Sequence, residues 1–308
     1  MKRQPVWKKL GLLYSPLKKK RHPKLISHAT NPLAVHLYND VFRVYYSGRD
    51  GKNRSSVGAV DIDIVRQIII TDHQEPFFQH GPKGSFYEDG VSIGNCYTVG
   101  ARRYILFMGW QNPADSHWRG DIGQLTIMQD DSLQLTQTQP LFTADAVDPV
   151  SVSYPWVMQT GPAHYDMWYG STLNWCAENG EMVHVINHAH SGNGIDWEKT
   201  GLAVPYRLNY AQAFSRPTVI ENDNQYLDMW FSYRCGTGRK YRIGYAHNNG
   251  SGWKLDLENS GIDVSESGWD SEMIEYPFVF KHKDRFYMLY NGNGYGQTGF
   301  GLAVLCDN

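Results

Sequence analysis

The sequence has little of what marks several large classes of protein. Only 19% of its 308 residues are charged and the formal net charge is -2. A general nucleic-acid binder, whose domain pI lies above about 9, is therefore excluded. No run approaches the roughly 18–20 uninterrupted apolar residues of a membrane-spanning helix. Cysteine is scarce: Cys96, Cys176, Cys235 and Cys306 lie far apart with no CxxC pair, which suits free thiols in a reducing cytoplasm. The chain also lacks a sustained helical period, an HExxH motif, a G-x-S-x-G elbow and a glycine-rich phosphate loop ahead of a helix. No cofactor or metal is expected. His184, His188 and His190 share one strand face by even spacing, but no clear fourth ligand accompanies them, and His188 or His190 reads as a core or pocket hydrogen-bonder. What is abundant is 10 Trp, 20 Tyr, 12 Phe and 30 Gly. That profile excludes a disordered chain and leans towards β.

Charge is unevenly placed. The first 26 residues hold nine basic side chains (Lys2, Arg3, Lys8, Lys9, Lys18, Lys19, Lys20, Arg21, Lys24) and no acidic one, leaving 20 basic and 31 acidic residues for the rest. The only apolar run there, Leu10-Gly-Leu-Leu-Tyr14, is shorter than the 7–15 residues of a secretory signal. We therefore expect a cytoplasmic protein with a basic N-terminal arm over residues 1–26. Two readings of the arm stand side by side: a solvated segment whose Trp7 and Leu12 pack on the domain, or a peripheral contact with an anionic membrane or an enzyme complex.

An internal repeat dominates the remainder. Five segments alternate aromatic and aliphatic residues and end on a small residue: Phe42-Arg-Val-Tyr-Tyr-Ser47, Tyr104-Ile-Leu-Phe-Met-Gly109, Tyr165-Asp-Met-Trp-Tyr-Gly170, Leu227-Asp-Met-Trp-Phe-Ser232 and Phe286-Tyr-Met-Leu-Tyr-Asn291. Their last residues are 62, 61, 62 and 59 apart. A strand precedes each, opening at Asn31-Pro32, Asp89-Gly90, Tyr154-Pro155, Arg216-Pro217 and Tyr276-Pro277. A third follows, as in Ser56-Val-Gly-Ala-Val60 and Arg242-Ile-Gly-Tyr-Ala246. Four strands and their turns fit each unit, and radial packing buries both faces of every sheet. The fold class expected is all-β: a five-bladed β-propeller of four-stranded antiparallel blades filling residues 27–308 as a single domain. Ser191-Gly-Asn-Gly-Ile-Asp-Trp197 and His247-Asn-Asn-Gly-Ser-Gly-Trp253 read as hairpin turns whose tryptophans plug gaps between sheets.

In such a ring the first strand of each unit lines the axis. Side chains at first-strand starts and after second strands therefore converge on one pocket. The first group supplies His28, Asn31, Glu88, Asp89, Tyr154, Arg216, Glu272 and Glu275; the second supplies Arg49, Asp50, Trp110, Arg234, Asn291, Asn293 and Tyr295. Carboxylates and amides that bond hydroxyls in pairs, mixed with aromatic faces that stack on C–H groups, suit a carbohydrate ligand. Three guanidinium groups (Arg49, Arg216, Arg234) favour an anionic one, uronic, phosphorylated or nucleotide-linked. The competing reading is that each arginine pairs with Asp50, Asp89 or Glu272 to hold the channel together. If Arg216 reads the ligand, Arg216→Ala should weaken binding sharply.

The strings Ser27-His-Ala29, Arg49-Asp50-x-x-Asn53-Arg54-Ser55, Ser215-Arg-Pro217, Met229-Trp-Phe-Ser-Tyr-Arg234, Trp269-Asp-Ser-Glu-Met273 and Tyr290-Asn-Gly-Asn-Gly-Tyr295 carry a resemblance. Over nearly its whole length the chain resembles the bacterial five-bladed proteins related to glycoside hydrolase families 43, 32 and 130, the arabinanase/levansucrase/invertase-like group. Members of this branch resemble proteins that accompany surface-polysaccharide synthesis, which is the process the resemblance implies. The resemblance implies a first-strand Asp as base in blade one, a pKa-tuning Asp in blade two and an acid Glu in blade three. Only blade two complies, with Asp89; blade one presents Thr30-Asn31 and blade three Ser153-Tyr154.

Two functions are therefore carried forward. One is a carbohydrate-active enzyme with a relocated acid/base pair, Asp270 and Glu272 with Asp89 or Asp50 opposite, since glycoside hydrolysis uses two carboxyl groups. The other is a non-catalytic sugar-binding propeller or partner subunit of a polysaccharide-synthesis complex, favoured by the incomplete triad.

Overall fold

All five aromatic segments become second strands of antiparallel sheets. In the computed structural model, which describes residues 4–18, 21–114, 116–222, 224–236 and 238–306, they lie within β3 (Val41–Arg49), β7 (Arg102–Gln111), β11 (His164–Asn174), β15 (Leu227–Tyr233) and β19 (Arg285–Asn291). Their interiors are buried on both faces (Tyr46, Phe107, Tyr169, Phe231 and Tyr290 have 0% exposure). A strand covered on both sides reads as a near-continuous apolar run instead of a clean alternation.

On one side of each second strand lies a first strand: β2 (Ser27–Tyr38), β6 (Gly90–Val99), β10 (Ser151–Gly161), β14 (Ser215–Glu221) and β18 (Glu275–His282). On the other lies a third: β4 (Ser55–Asp63), β8 (Arg119–Ile127), β12 (Val183–Ser191), β16 (Arg242–Asn248) and β20 (Phe300–Leu305). Short outer strands β5 (Ile68–Asp72), β9 (Leu133–Leu135), β13 (Glu198–Leu202) and β17 (Trp253–Leu255) complete four of the units. The first strands touch in a closed ring, β2 to β6, β10, β14, β18 and back to β2. Strand pairing yields three four-stranded sheets and one of eight strands, not five separate sheets. The eight-stranded sheet is β2–β5 and β6–β9 joined through a single parallel bridge, Ser55 to Gly90.

The last unit takes its outer strand from the start of the chain. β1 (Trp7–Tyr14) pairs antiparallel with β20, from Trp7 opposite Leu305 to Tyr14 opposite Phe300. The segment expected as an arm ahead of the domain thus contributes a strand to a sheet. Three of its cations are held inside the fold. Lys9 Nζ lies 2.8 Å from Asp270 Oδ2, Arg21 Nη2 lies 2.7 Å from Asp72 Oδ2, and Lys24 Nζ lies 3.0 Å from His80 Nε2. Lys2, Arg3, Lys19 and Lys20 lie outside the described residues.

Every first strand carries a register shift near its start: between Thr30 and Leu33, Ile93 and Cys96, Ser153 and Trp156, Ser215 and Thr218, and Glu275 and Phe278. Four of these bulges hold an X-Pro dipeptide whose first residue has positive φ: Asn31 (54°), Tyr154 (43°), Arg216 (48°) and Tyr276 (52°). Proline suits a bulge because it has no N–H for the ladder. In the second unit the same place is held by Gly94-Asn95, so the equivalent of Asn31 is Gly94, not Asp89. A Cβ on Gly94 would meet Pro155 O at 2.6 Å and Leu106 O at 2.8 Å, both backbone atoms that cannot swing aside. Gly94→Ala should lower stability by about 1–3 kcal/mol, the usual cost of overpacking, seen as a lower urea midpoint at unchanged slope.

The two turns read as hairpins join β12 to β13 and β16 to β17. Trp197 meets Tyr97 of the neighbouring sheet at 6.4 Å, and Trp253 meets Trp168 at 5.9 Å. Both fill the gap between adjacent sheets.

Candidate functional site

A pocket of about 390 Å³ opens at the end of the ring where first strands begin and second strands finish. Its size falls at the lower end of small-molecule sites, which run about 300–1,000 Å³. Of the residues singled out in the sequence, it brings together Arg49, Trp110, Tyr154, Arg234 and Tyr295. Trp118, His184, Tyr241 and Tyr276 join them. Three of these four lie just before or at the start of third strands, a position not among the sequence candidates. The repeat does carry a signal for them: the chain segment entering each third strand faces the same end as the segment leaving the second.

Two guanidinium groups face this space in different states. Arg234 is held by Glu181, Nη2 to Oε1 and Nε to Oε2 both at 2.9 Å. Arg49 donates from Nη1 to Asn53 Oδ1 at 2.7 Å and has no carboxylate partner among the described residues. Arg216, expected beside them, is 2% exposed. It lies beneath the pocket, donating from Nη2 to Pro32 O at 2.7 Å and Gly94 O at 3.2 Å. Burial pulls its guanidinium down to about 9, with Tyr154 and Tyr276 pulling the other way. Its Nη1 has no hydrogen-bond partner. None of the three pairs with Asp50, Asp89 or Glu272. Arg216→Ala would therefore act first on the ring of first strands, not on a ligand contact.

The expected acid/base carboxylates are not assembled here. Asp50 caps its own turn, accepting from Lys52 N at 2.8 Å and Arg54 N at 2.9 Å. Although burial pushes the other way, those bonds and the Arg54 guanidinium hold it below the usual carboxylate range. Asp89 Oδ2 accepts from Asn112 N at 2.7 Å and shapes the rim. Asp270 is 2% exposed and joins Lys9 to Tyr290, whose hydroxyl donates to it at 3.0 Å. Glu272 is exposed, its carboxylate 3.8 Å from Lys240 Nζ.

The amides serve the framework as well. Asn291 is fully buried, accepts from Asn31 N at 2.9 Å and donates to Ala29 O and Gly299 O at 2.8 and 2.7 Å. Asn31 in turn donates from Nδ2 to Thr30 Oγ1 at 3.1 Å. Asn293 accepts from Glu272 N and Met273 N. His28 meets Ser27 Oγ at 2.9 Å; burial and the neighbouring Arg49 pull its imidazole down to about 4.

One carboxyl group does lie at the axis. Glu275, at the start of β18 and in the bulge position of Thr30, Ile93, Ser153 and Ser215, is 0% exposed and neither Oε1 nor Oε2 has a hydrogen-bond partner. Burial pushes its carboxyl well above the usual range, while Arg49 and Arg234 pull the other way. It follows the sequence Trp269-Asp-Ser-Glu-Met-Ile and directly precedes Tyr276-Pro277. That register, not its residue type, distinguishes it from Glu272.

His184 forms part of the wall, its Nε2 2.8 Å from Ser153 Oγ and its Nδ1 2.6 Å from Thr172 Oγ1. Its expected companions are elsewhere: His188 Nε2 bonds Asp166 Oδ1 at 2.7 Å and His190 faces Glu198. Burial pulls His184 down to about 4. A depressed histidine pKa means that the unfolded chain takes up a proton first as pH falls. Stability on the order of 3 kcal/mol should therefore be present above about pH 6.5 and be lost between there and pH 4. His184→Gln should flatten that part of the stability–pH curve measured by urea unfolding.

The architecture defines the class: it is the propeller-type fold of glycoside hydrolases. The structure of BT0996 in complex with RGII aligns with a TM-score of 0.72 over 96% of this chain and 90% of its own, at 14% identity. A structure described for the GH130 family of mannoside phosphorylases, with glycoside hydrolases that target beta-1,2 mannosidic linkages in Candida mannan, aligns at 0.69 over 98% and 94%, at 12% identity. The endo-arabinase of Bacteroides thetaiotaomicron VPI-5482 aligns at 0.64 over 94% and 99%, also at 12% identity. No family model matches the chain. It belongs to the same family as the uncharacterized proteins Rv1502 and MT1551 of Mycobacterium tuberculosis strains H37Rv and CDC 1551, each 41% identical over 302 residues, 97% of this chain and 99% of theirs.

Proposed function

We propose that the protein is a five-bladed propeller, with the eight-stranded sheet counting as two blades, whose pocket binds an anionic saccharide. The observation that carries this reading is the convergence of Arg49 and Arg234 with Trp110, Trp118, Tyr154, Tyr241, Tyr276 and Tyr295 around one cavity. Aromatic faces suit sugar C–H surfaces, and a guanidinium without a carboxylate partner suits a carboxylate or phosphate on the ligand. Binding is favoured over ordinary glycoside hydrolysis. The latter needs two carboxyl groups flanking the scissile bond, whereas Asp50, Asp89, Asp270 and Glu272 are each engaged by other groups and none of them lines the pocket.

We place the protein in the cytoplasm, in surface-polysaccharide metabolism. The four unpaired thiols support the compartment, and the family resemblance supports the process. A membrane or enzyme-complex contact through the N-terminal segment is not part of this proposal, because Lys9, Arg21 and Lys24 already have partners inside the fold. The test is isothermal titration of glucuronate, galacturonate and glucose 6-phosphate against glucose and galactose. Much tighter binding of the charged members than of the neutral ones is expected. Equal binding of charged and neutral members, or none by any, overturns the reading.

A further inference from the structure

The axial cluster contains more positive charge than its partners account for. Glu181 offsets Arg234. Arg49 meets only an amide, and Arg216 meets only carbonyls, with Nη1 left over. The carboxyl able to offset Arg49 is Glu275, whose two oxygens accept no hydrogen bond although the side chain is completely buried. Arg49 and Arg234 both act on it electrostatically, and it acts in turn on Tyr154, Tyr241 and Tyr276. All five of those residues line the pocket.

We infer that Glu275 sets the charge selectivity of the pocket. Carrying its proton, it leaves the arginines to an anionic ligand; ionised, it becomes their counterion and excludes one. The inference rests on the reading of the pocket as an anionic-saccharide site and adds to it the residue that decides when such a ligand binds. An uncompensated carboxylate buried from solvent is costly, and an anion brought beside it raises that cost. Ligand and ionised Glu275 therefore compete for the same cations, and binding is linked to one proton.

Other titratable groups around the cluster do not substitute for it. On β12 and β2, burial pulls His184 and His28 down to about 4. On β10, before β16 and on β18, burial pushes the hydroxyls of Tyr154, Tyr241 and Tyr276 up. Glu181 is engaged by Arg234.

The test uses the full chain and two readouts. First, the side-chain carboxyl carbon of Glu275 is followed by NMR from about pH 4 to 9, assigned with Glu275→Gln. A midpoint well above the ordinary glutamate value of about 4.3 is expected; one near that value overturns the inference without any ligand. Second, the Kd for glucuronate is measured over about pH 5–9, where its own carboxylate stays ionised. Affinity should fall by up to tenfold per pH unit above the Glu275 midpoint, and Glu275→Gln should make the profile flat. Binding that is pH-independent in the wild type, or that keeps the same slope in Glu275→Gln, overturns the role of Glu275 and leaves the anionic-saccharide site standing. Absence of binding by every anionic saccharide at every pH overturns both. The wild-type pH profile of glucuronate binding decides the matter even if Glu275→Gln fails to fold.

Discussion

Replacing Arg49 by glutamine should weaken binding of a uronate or sugar phosphate about 10–100-fold and leave the stability of the fold within about 0.5 kcal/mol of wild type. Arg49 stands at the end of β3, half-buried, and its side chain donates to Asn53 Oδ1 at 2.7 Å. Little of the framework depends on it. A charge-assisted hydrogen bond to a ligand contributes about 1.5–3 kcal/mol, and each 1.4 kcal/mol is a factor of ten in Kd. The same change should hardly alter the weak affinity for a neutral parent sugar, since glutamine still offers a donor. Titration calorimetry of both ligands against both proteins measures this difference. Equal loss for charged and neutral sugars would mean that Arg49 shapes the pocket without reading charge. Arg234 is a poorer choice for the experiment, because removing it strands the buried Glu181 carboxylate and mixes binding with folding.

The largest effect on stability is expected at a residue that the sequence offered as a ligand contact. Asn291→Ala removes one acceptor and two donors that tie Asn31 N, Ala29 O and Gly299 O together, all inside the core. Asn31 and Ala29 belong to the first unit and Asn291 to the last, so this amide fastens the ring where it closes. Each backbone group left unpaired away from water costs about 1–3 kcal/mol. A total loss of about 4 kcal/mol or more is expected, at the severe end for a single substitution. Asn293→Ala, two residues on, removes the capping of a half-buried turn and should cost about 1–2 kcal/mol. Urea unfolding of the two variants side by side measures the contrast. Similar losses would mean that closure does not depend on Asn291.

These two asparagines also illustrate how far the sequence can be read. The repeat is legible because the second strands, buried on both faces, need unbroken aromatic and aliphatic runs. Four of the five first-strand bulges are legible because proline marks them. The remaining bulge, at Gly94-Asn95, carries no proline, so sequence alone sets the second unit out of register and credits Asp89 with an axial position. The carboxylates are harder to read for a different reason. An aspartate after a strand either reaches the axis or caps its own turn, and composition does not distinguish the two. Asp50 is followed by glycine, a turn signal that points to the second outcome. Asp270 is unreadable because its partner, Lys9, lies 261 residues away in sequence. Glu275 and Glu272 look alike in sequence, though only Glu275 stands beside the bulge that turns inward.

The pairing of β1 with β20 has a consequence for synthesis. A strand made early must remain unsheeted until all five units have left the ribosome, because its neighbour belongs to the last of them. Trp7 and Tyr14, both buried in the finished protein, are exposed throughout that interval. Late steps of maturation therefore include a docking event between two distant segments.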